Sequence, residues 1–145
     1  MTANSHLIQK ERKPNMTTVS SVIKQEKYKI EIHSETGNVL IADEPIEDGG
    51  QDLGFSPYEL LGSALAACTS ATLRMYADRK EWDLQEVRVK IDLEFRKEEN
   101  KTVINRKLEL IGQLDDVQRE RLLTIAKSCP VHKILSNPIE INTEI

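Results

Sequence analysis

The chain has 145 residues, enough for one domain with a real core. At 39% hydrophobic and 30% charged it reads as a globular chain, with a net charge of −4 and 4% aromatics. Its basic residues are scattered and its aromatics few, which argues against nucleic-acid and anionic-membrane partners. The N-terminus has no apolar leader and no stretch is long enough to span a bilayer, so a cytoplasmic location is the expectation. In that compartment two cysteines point to catalysis, redox chemistry or metal binding more than to a structural bridge.

Residues 1–16 are polar and of mixed charge and end in Lys13-Pro14-Asn15 and Met16, which predicts a tail. Residues 17–145 are expected to form a single domain. From Val19 to His33 the pattern turns extended, with Tyr28, Ile30 and Ile32 alternating with Lys27, Lys29 and Glu31. Thr36-Gly37-Asn38 is a turn signal and residues 39–42 a second strand, so residues 19–42 read as a hairpin. The following loop, residues 43–55, is rich in glycine and acid. It lacks the spacing of a nucleotide fingerprint or an EF-hand, so it reads as a solvated loop.

Residues 56–78, SPYELLGSALAACTSATLRMYAD, read as one long helix. Ser56 is a natural N-cap, Pro57 occupies the first helical position, and Glu59 completes a capping box. No charge falls between Glu59 and Arg74, and the fourteen intervening residues span about 21 Å. Small residues cluster around Cys68, so this is expected to be a central helix enclosed by protein. By itself Cys68 reads as an inert, small buried hydrophobe.

Residues 87–95 alternate cleanly between apolar and charged, predicting a strand with one wet face. A charged loop, residues 96–101, leads to a return strand over residues 103–111. There Ile104, Leu108 and Leu110 share a face with Arg106. An arginine on an apolar face needs an anionic partner, unless its stem carries the charge out at the sheet edge. Gly112 is expected to end the strand. Asp115 and Gln118 form another capping box, and Leu122, Ile125, Ala126 and Cys129 fall on one helical stripe. Pro130 ends that helix at Cys129 and opens a third over residues 131–135. Ile139, Ile141, Thr143 and Ile145 suggest a last strand. The order strand, strand, helix, strand, strand, helix, helix, strand is α+β. Too little cover remains for the uncharged helix, which points to a second subunit.

Cys68 and Cys129 are too far apart in sequence for a CxxC loop or zinc knuckle. With His132 they give three metal ligands and no evident fourth, so no metal or other cofactor is expected. A two-cysteine peroxidase asks for something else. One thiolate attacks the peroxide and becomes a sulfenic acid, and a second thiol captures it as a disulfide. The attacking thiol also needs a cation or a helix N-terminus nearby. Cys129 has the better local field, whereas Cys68 lies about three turns into its helix and needs a cation from elsewhere, for which Arg106 is the candidate.

The stretch SPYELLGSALAACTSATLRMYA, followed some sixty residues later by LLTIAKSCPVHKIL, resembles the OsmC/Ohr family, the osmotically induced protein C and organic hydroperoxide resistance proteins. The resemblance runs from about Lys29 to the C-terminus and includes IADEP and GGQDLG. It implies a compact α+β fold, an intertwined homodimer with a long central helix wrapped by antiparallel sheet, and active sites at the subunit interface. It implies reduction of organic hydroperoxides in oxidative stress defence, with Cys68 attacking, Cys129 resolving, and an external dithiol as reductant. The chain departs from that pattern at two places. Tyr58 stands where the family has a glutamate ten residues before the attacking cysteine. The N-terminal hairpin offers Lys24, Lys27 and Lys29 where the family has an activating arginine. These departures mark a divergent OsmC-like branch, make Arg106 the expected substitute, and keep open the alternative of a redox-sensing or ligand-binding dimer without efficient catalysis.

Overall fold

The computed structural model describes residues 16–145. The expected tail, but for Met16, lies outside the described residues. The described chain forms two compact units, divided after Phe55.

In the first unit, β1 (Val19–Ile23), β2 (Ile30–Ser34) and β3 (Val39–Ala42) form an antiparallel sheet in that order. The expected hairpin is thus a three-stranded meander. Its extra turn, residues 24–29, breaks what the alternating pattern suggested was one extended run. Val19 pairs with Ser34 and Ile30 with Ala42. The acidic loop after β3 carries one 3-10 turn, Ile46–Asp48, and is not simply solvated. Asp43 is fully buried. Its carboxylate accepts the backbone N–H groups of Glu44 at 2.8 Å, Tyr28 at 3.1 Å, and Gln51 and Leu53 at 3.2 Å. One side chain thereby fixes the loop against the start of β2.

The second unit begins with α1 (Pro57–Arg79), which starts where its capping signals place it. Ser56 Oγ accepts from Glu59 N, and the Glu59 carboxylate accepts from Ser56 N at 2.7 Å. β4 (Asp83–Arg96) and β5 (Lys101–Gln113) then form a long antiparallel hairpin, with Val89 opposite Leu108 and Ile91 opposite Arg106. Gly112 does not end β5. It lies one residue inside, at φ +147°, beside a register shift between Leu84 and Glu86. A Cβ there would lie 1.9 Å from the Asp83 carbonyl oxygen, so only glycine lets the strands close at this bulge.

α2 (Asp116–Ala126) is capped by Asp115 and Gln118, and α3 (Pro130–Ser136) begins after Cys129. α1 packs on β4, α2 and α3. Leu73, Ala77, Leu84, Leu122 and Ala126 form the buried core of this unit, with Tyr76, Trp82 and Leu110 around it. Arginines tie the layers together. Arg74 donates to the carbonyls of Leu84 and Gln85, and Arg119 donates to those of Leu110 and Gly112.

One expectation fails here. Residues 137–145 form no strand, and all of them are exposed. Alternation supplies a face, but a strand also needs a neighbouring ladder, and none of the described strands pairs with this segment. Along α1 several large side chains are left open. Tyr58, Leu61 and Met75 are 65%, 40% and 67% exposed. The α+β class itself stands, with three helices and two antiparallel sheets among the described residues. None of the described helices is long and apolar enough to cross a membrane.

Candidate active site

Two stripes run along α1, and they set the geometry of the site. Gly62, Leu65, Thr69, Leu73 and Ala77 are buried. Successive helical residues are about 100° apart, so these positions share one face. Gly62 keeps that face close to the sheet, where a Cβ would already touch Ile91 Cγ2 at 3.4 Å. The adjacent stripe is Leu61, Ala64, Cys68, Ala71 and Met75. Its members are exposed except Cys68, which is half-buried. Cys68 therefore sits on the shoulder between the packed face and an open apolar one.

Thr69 is the only hydroxyl residue in the buried stripe and one of two buried polar residues among those described. Its Oγ1 lies 2.7 Å from the Leu65 carbonyl oxygen, to which it can donate, and 4.0 Å from the Sγ of Cys129. Cys129 is fully buried and is the N-cap of α3. Pro130 forces it out of helical geometry, to φ −63° and ψ 141°, and its Sγ accepts the His132 N–H at 3.3 Å. Both cysteines are free thiols.

Arg106 reaches this cluster from β5. Its Nη1 donates to Thr69 Oγ1 at 3.0 Å, and its Nη2 lies 3.2 Å from His132 Nδ1. Guanidinium nitrogens only donate, so His132 Nδ1 is the acceptor and the ring proton sits on Nε2. From sequence Arg106 calls for an anionic partner or an exit for its charge at the sheet edge. A hydroxyl and an imidazole stand there instead, and the guanidinium makes no ion pair with a carboxylate among the described residues. Both partners accept, which satisfies two of the five guanidinium donors without a second charge.

Arg106 and His132 line a cavity of about 210 Å³ whose other walls are Leu65, Thr102, Ile104, Leu135 and Ser136. Its lining combines apolar side chains, Leu65, Ile104 and Leu135, with hydrogen-bonding ones. Among the described residues, no group of three or more His, Cys, Asp or Glu side chains is placed to hold a metal ion. His132, considered from sequence only as a metal ligand, instead anchors the arginine. Thr69 passed unnoticed among small residues. The signal was its place four residues after Leu65 and four before Leu73, where a hydroxyl interrupts a buried apolar stripe.

Residues 49–144 match the family model described as OsmC-like protein. The chain belongs to the OsmC family. No curated protein matches this OsmC-like chain in sequence. Solved structures do match its fold. An OsmC-like protein from Mycoplasma pneumoniae is 20% identical, with a TM-score of 0.72 over 86% of this chain and 89% of the other. A protein from Psychrobacter arcticus, ascribed to osmotic stress induction and detoxification response, is 22% identical, with a TM-score of 0.72 over 82% and 88%. A protein from Legionella pneumophila named as organic hydroperoxide resistance protein OsmC is 22% identical, with a TM-score of 0.62 over 86% and 91%. At such identities the likeness is one of fold. In this OsmC-like protein Tyr58, which stands where the family glutamate was expected, is 65% exposed. Arg106, the cation expected for Cys68, makes its side-chain hydrogen bonds to Thr69 and His132, the two residues that contact Cys129 Sγ.

Proposed function

We propose that this OsmC-like protein is a thiol-dependent peroxidase that reduces organic hydroperoxides. The observation that carries the reading is the hydrogen-bonded meeting of Cys129, Thr69, Arg106 and His132, the last two lining a cavity, with Cys68 immediately before Thr69 in α1. Cys68 is the accessible thiol and Cys129 the enclosed one, which fits attack by the first and capture by the second. Cys68 thiolate takes an oxygen from the hydroperoxide and releases an alcohol. Cys129 then displaces hydroxide from the sulfenic acid to give a disulfide and water. An external dithiol reduces that disulfide and closes the cycle. The apolar stripe flanking Cys68 and the Leu65, Ile104 and Leu135 wall favour peroxides with a hydrocarbon body.

The protein works as a homodimer in this reading. The exposed stripe Leu61, Ala64, Ala71, Met75 brackets Cys68, and a second copy laid on it would exclude water from the reacting sulfur. One observation favours the second reading, a redox-sensing or ligand-binding dimer: the Arg106 network holds no carboxylate where the family has a glutamate.

Turnover of cumene hydroperoxide with a dithiol reductant separates the two. Wild type is expected to turn over, Cys68→Ser to be inactive, and Cys129→Ser to react once and then stall. Equal slowness in all three proteins leaves only the sensing or binding dimer.

A further inference from the structure

Thr69 Oγ1 has one proton and is already claimed from three sides. Arg106 Nη1 donates to it at 3.0 Å, the Leu65 carbonyl stands at 2.7 Å, and Cys129 Sγ stands at 4.0 Å. Arg106 occupies one oxygen lone pair, because a guanidinium has nothing to accept with. That leaves the hydroxyl two arrangements. While Cys129 is a thiol, its S–H can donate to Oγ1 and the hydroxyl donates to Leu65 O. When the S–H proton departs, the hydroxyl turns and donates to the sulfur. The Leu65 carbonyl is not stranded by the turn, since within α1 it also accepts the helical N–H of Thr69. Arg106 is held at the far end by His132 Nδ1, whose own backbone N–H is on Cys129 Sγ. The ring from Cys129 to Thr69 to Arg106 to His132 and back to Cys129 is therefore closed.

We propose that Thr69 is the positioning residue of the disulfide-forming step, linking the Arg106 guanidinium to the Cys129 sulfur. The inference rests on the peroxidase reading above. In that step the Cys129–Cys68 S–S bond forms and the S–O bond of the Cys68 sulfenic acid breaks. The Cys129 sulfur is oxidised and the Cys68 sulfur reduced. The thiol proton leaves with the hydroxide as water. As the Cys129 sulfur gains negative character, Thr69 supplies a hydrogen bond made stronger by the cation behind it. Arg106 thus acts on the capturing thiol through an intermediary, and the initial attack by Cys68 does not depend on Thr69.

The test compares Thr69→Val, which keeps the shape and removes the hydroxyl, with Thr69→Ser, which keeps the hydroxyl. Each protein, checked for an unchanged circular dichroism spectrum at the assay temperature, is mixed with one equivalent of cumene hydroperoxide. Sulfenic acid is trapped with a cyclic dione, and disulfide is counted by loss of free thiols. The expected result is that Thr69→Val forms disulfide about tenfold to a hundredfold more slowly, the range for losing a hydrogen bond to a charged group. Its sulfenic acid should accumulate, and Thr69→Ser should restore the wild-type partition. An unchanged partition in Thr69→Val overturns the inference alone, as does a serine variant as impaired as the valine one, which would mark a packing role. A wild-type protein that forms neither sulfenic acid nor disulfide overturns the peroxidase reading and this inference with it.

Discussion

Two buried polar side chains among the described residues, Asp43 and Thr69, carry most of what is unusual here. Asp43 is the structural one. Burial alone would raise its pKa, but the backbone donors of Leu53, Tyr28, Glu44 and Gln51 together outweigh it, so the carboxyl stays below its ordinary 3.8. A depressed folded pKa means that the stabilisation is complete above the unfolded value and fades as pH falls through the folded one. Acid should therefore loosen the loop over residues 43–55 only below about pH 4. Asp43→Asn should remove that acid dependence and lower the unfolding midpoint at pH 7, because its amide nitrogen turns donors toward the N–H groups of Gln51 and Leu53 or of Tyr28 and Glu44. Thermal unfolding of both proteins at pH 7 and pH 3 reads this directly. Equal midpoints at pH 7 would show that the carboxylate does not hold the loop. Composition gave no hint of this role. An aspartate in a glycine-rich acidic stretch looks solvated, and only the chain's return at Gln51 and Leu53 makes it a hub.

At the scale of elements, local chemistry wrote itself plainly into the chain. Ser56 with Glu59 and Asp115 with Gln118 placed both longer helices, and Pro130 placed the third. The alternation of residues 87–95 survives as a strand whose apolar side is half-buried from Val87 to Leu93, while Phe95 is exposed. What failed depended on partners. The segment ending at Ile145 alternates as well, yet no described strand pairs with it. Arg106 was legible as an oddity on an apolar face, but its partners come from α1 and α3, and no local pattern encodes that meeting. The stripe on α2 can be tested by itself. Leu122 is fully buried and Leu123 is 52% exposed. Leu122→Ala should cost about 2–5 kcal/mol of unfolding free energy and Leu123→Ala under about 0.5 kcal/mol. Denaturant titration checks both, and equal costs would contradict the packing of α2.

At the scale of the whole molecule, the open question is what covers the second stripe of α1. A helix whose fourteen residues from Leu60 to Leu73 carry no charge is not built to face water along Leu61, Ala64, Ala71 and Met75. If a second copy lies there, a charge in mid-stripe should split the pair without disturbing the unit it belongs to, because Ala71 is exposed. Light scattering should give about twice 16.5 kDa for wild type and one mass for Ala71→Arg, with unchanged circular dichroism. A monomeric wild type, or a variant that stays dimeric, would remove the homodimer. In the proposed cycle two thiols far apart in sequence act as one site. Peptide mass mapping after a single equivalent of organic hydroperoxide tests it most directly. The expected product is one disulfide joining Cys68 to Cys129 within a chain. Oxidation confined to either cysteine alone, or a bridge between two copies of Cys68, would contradict it.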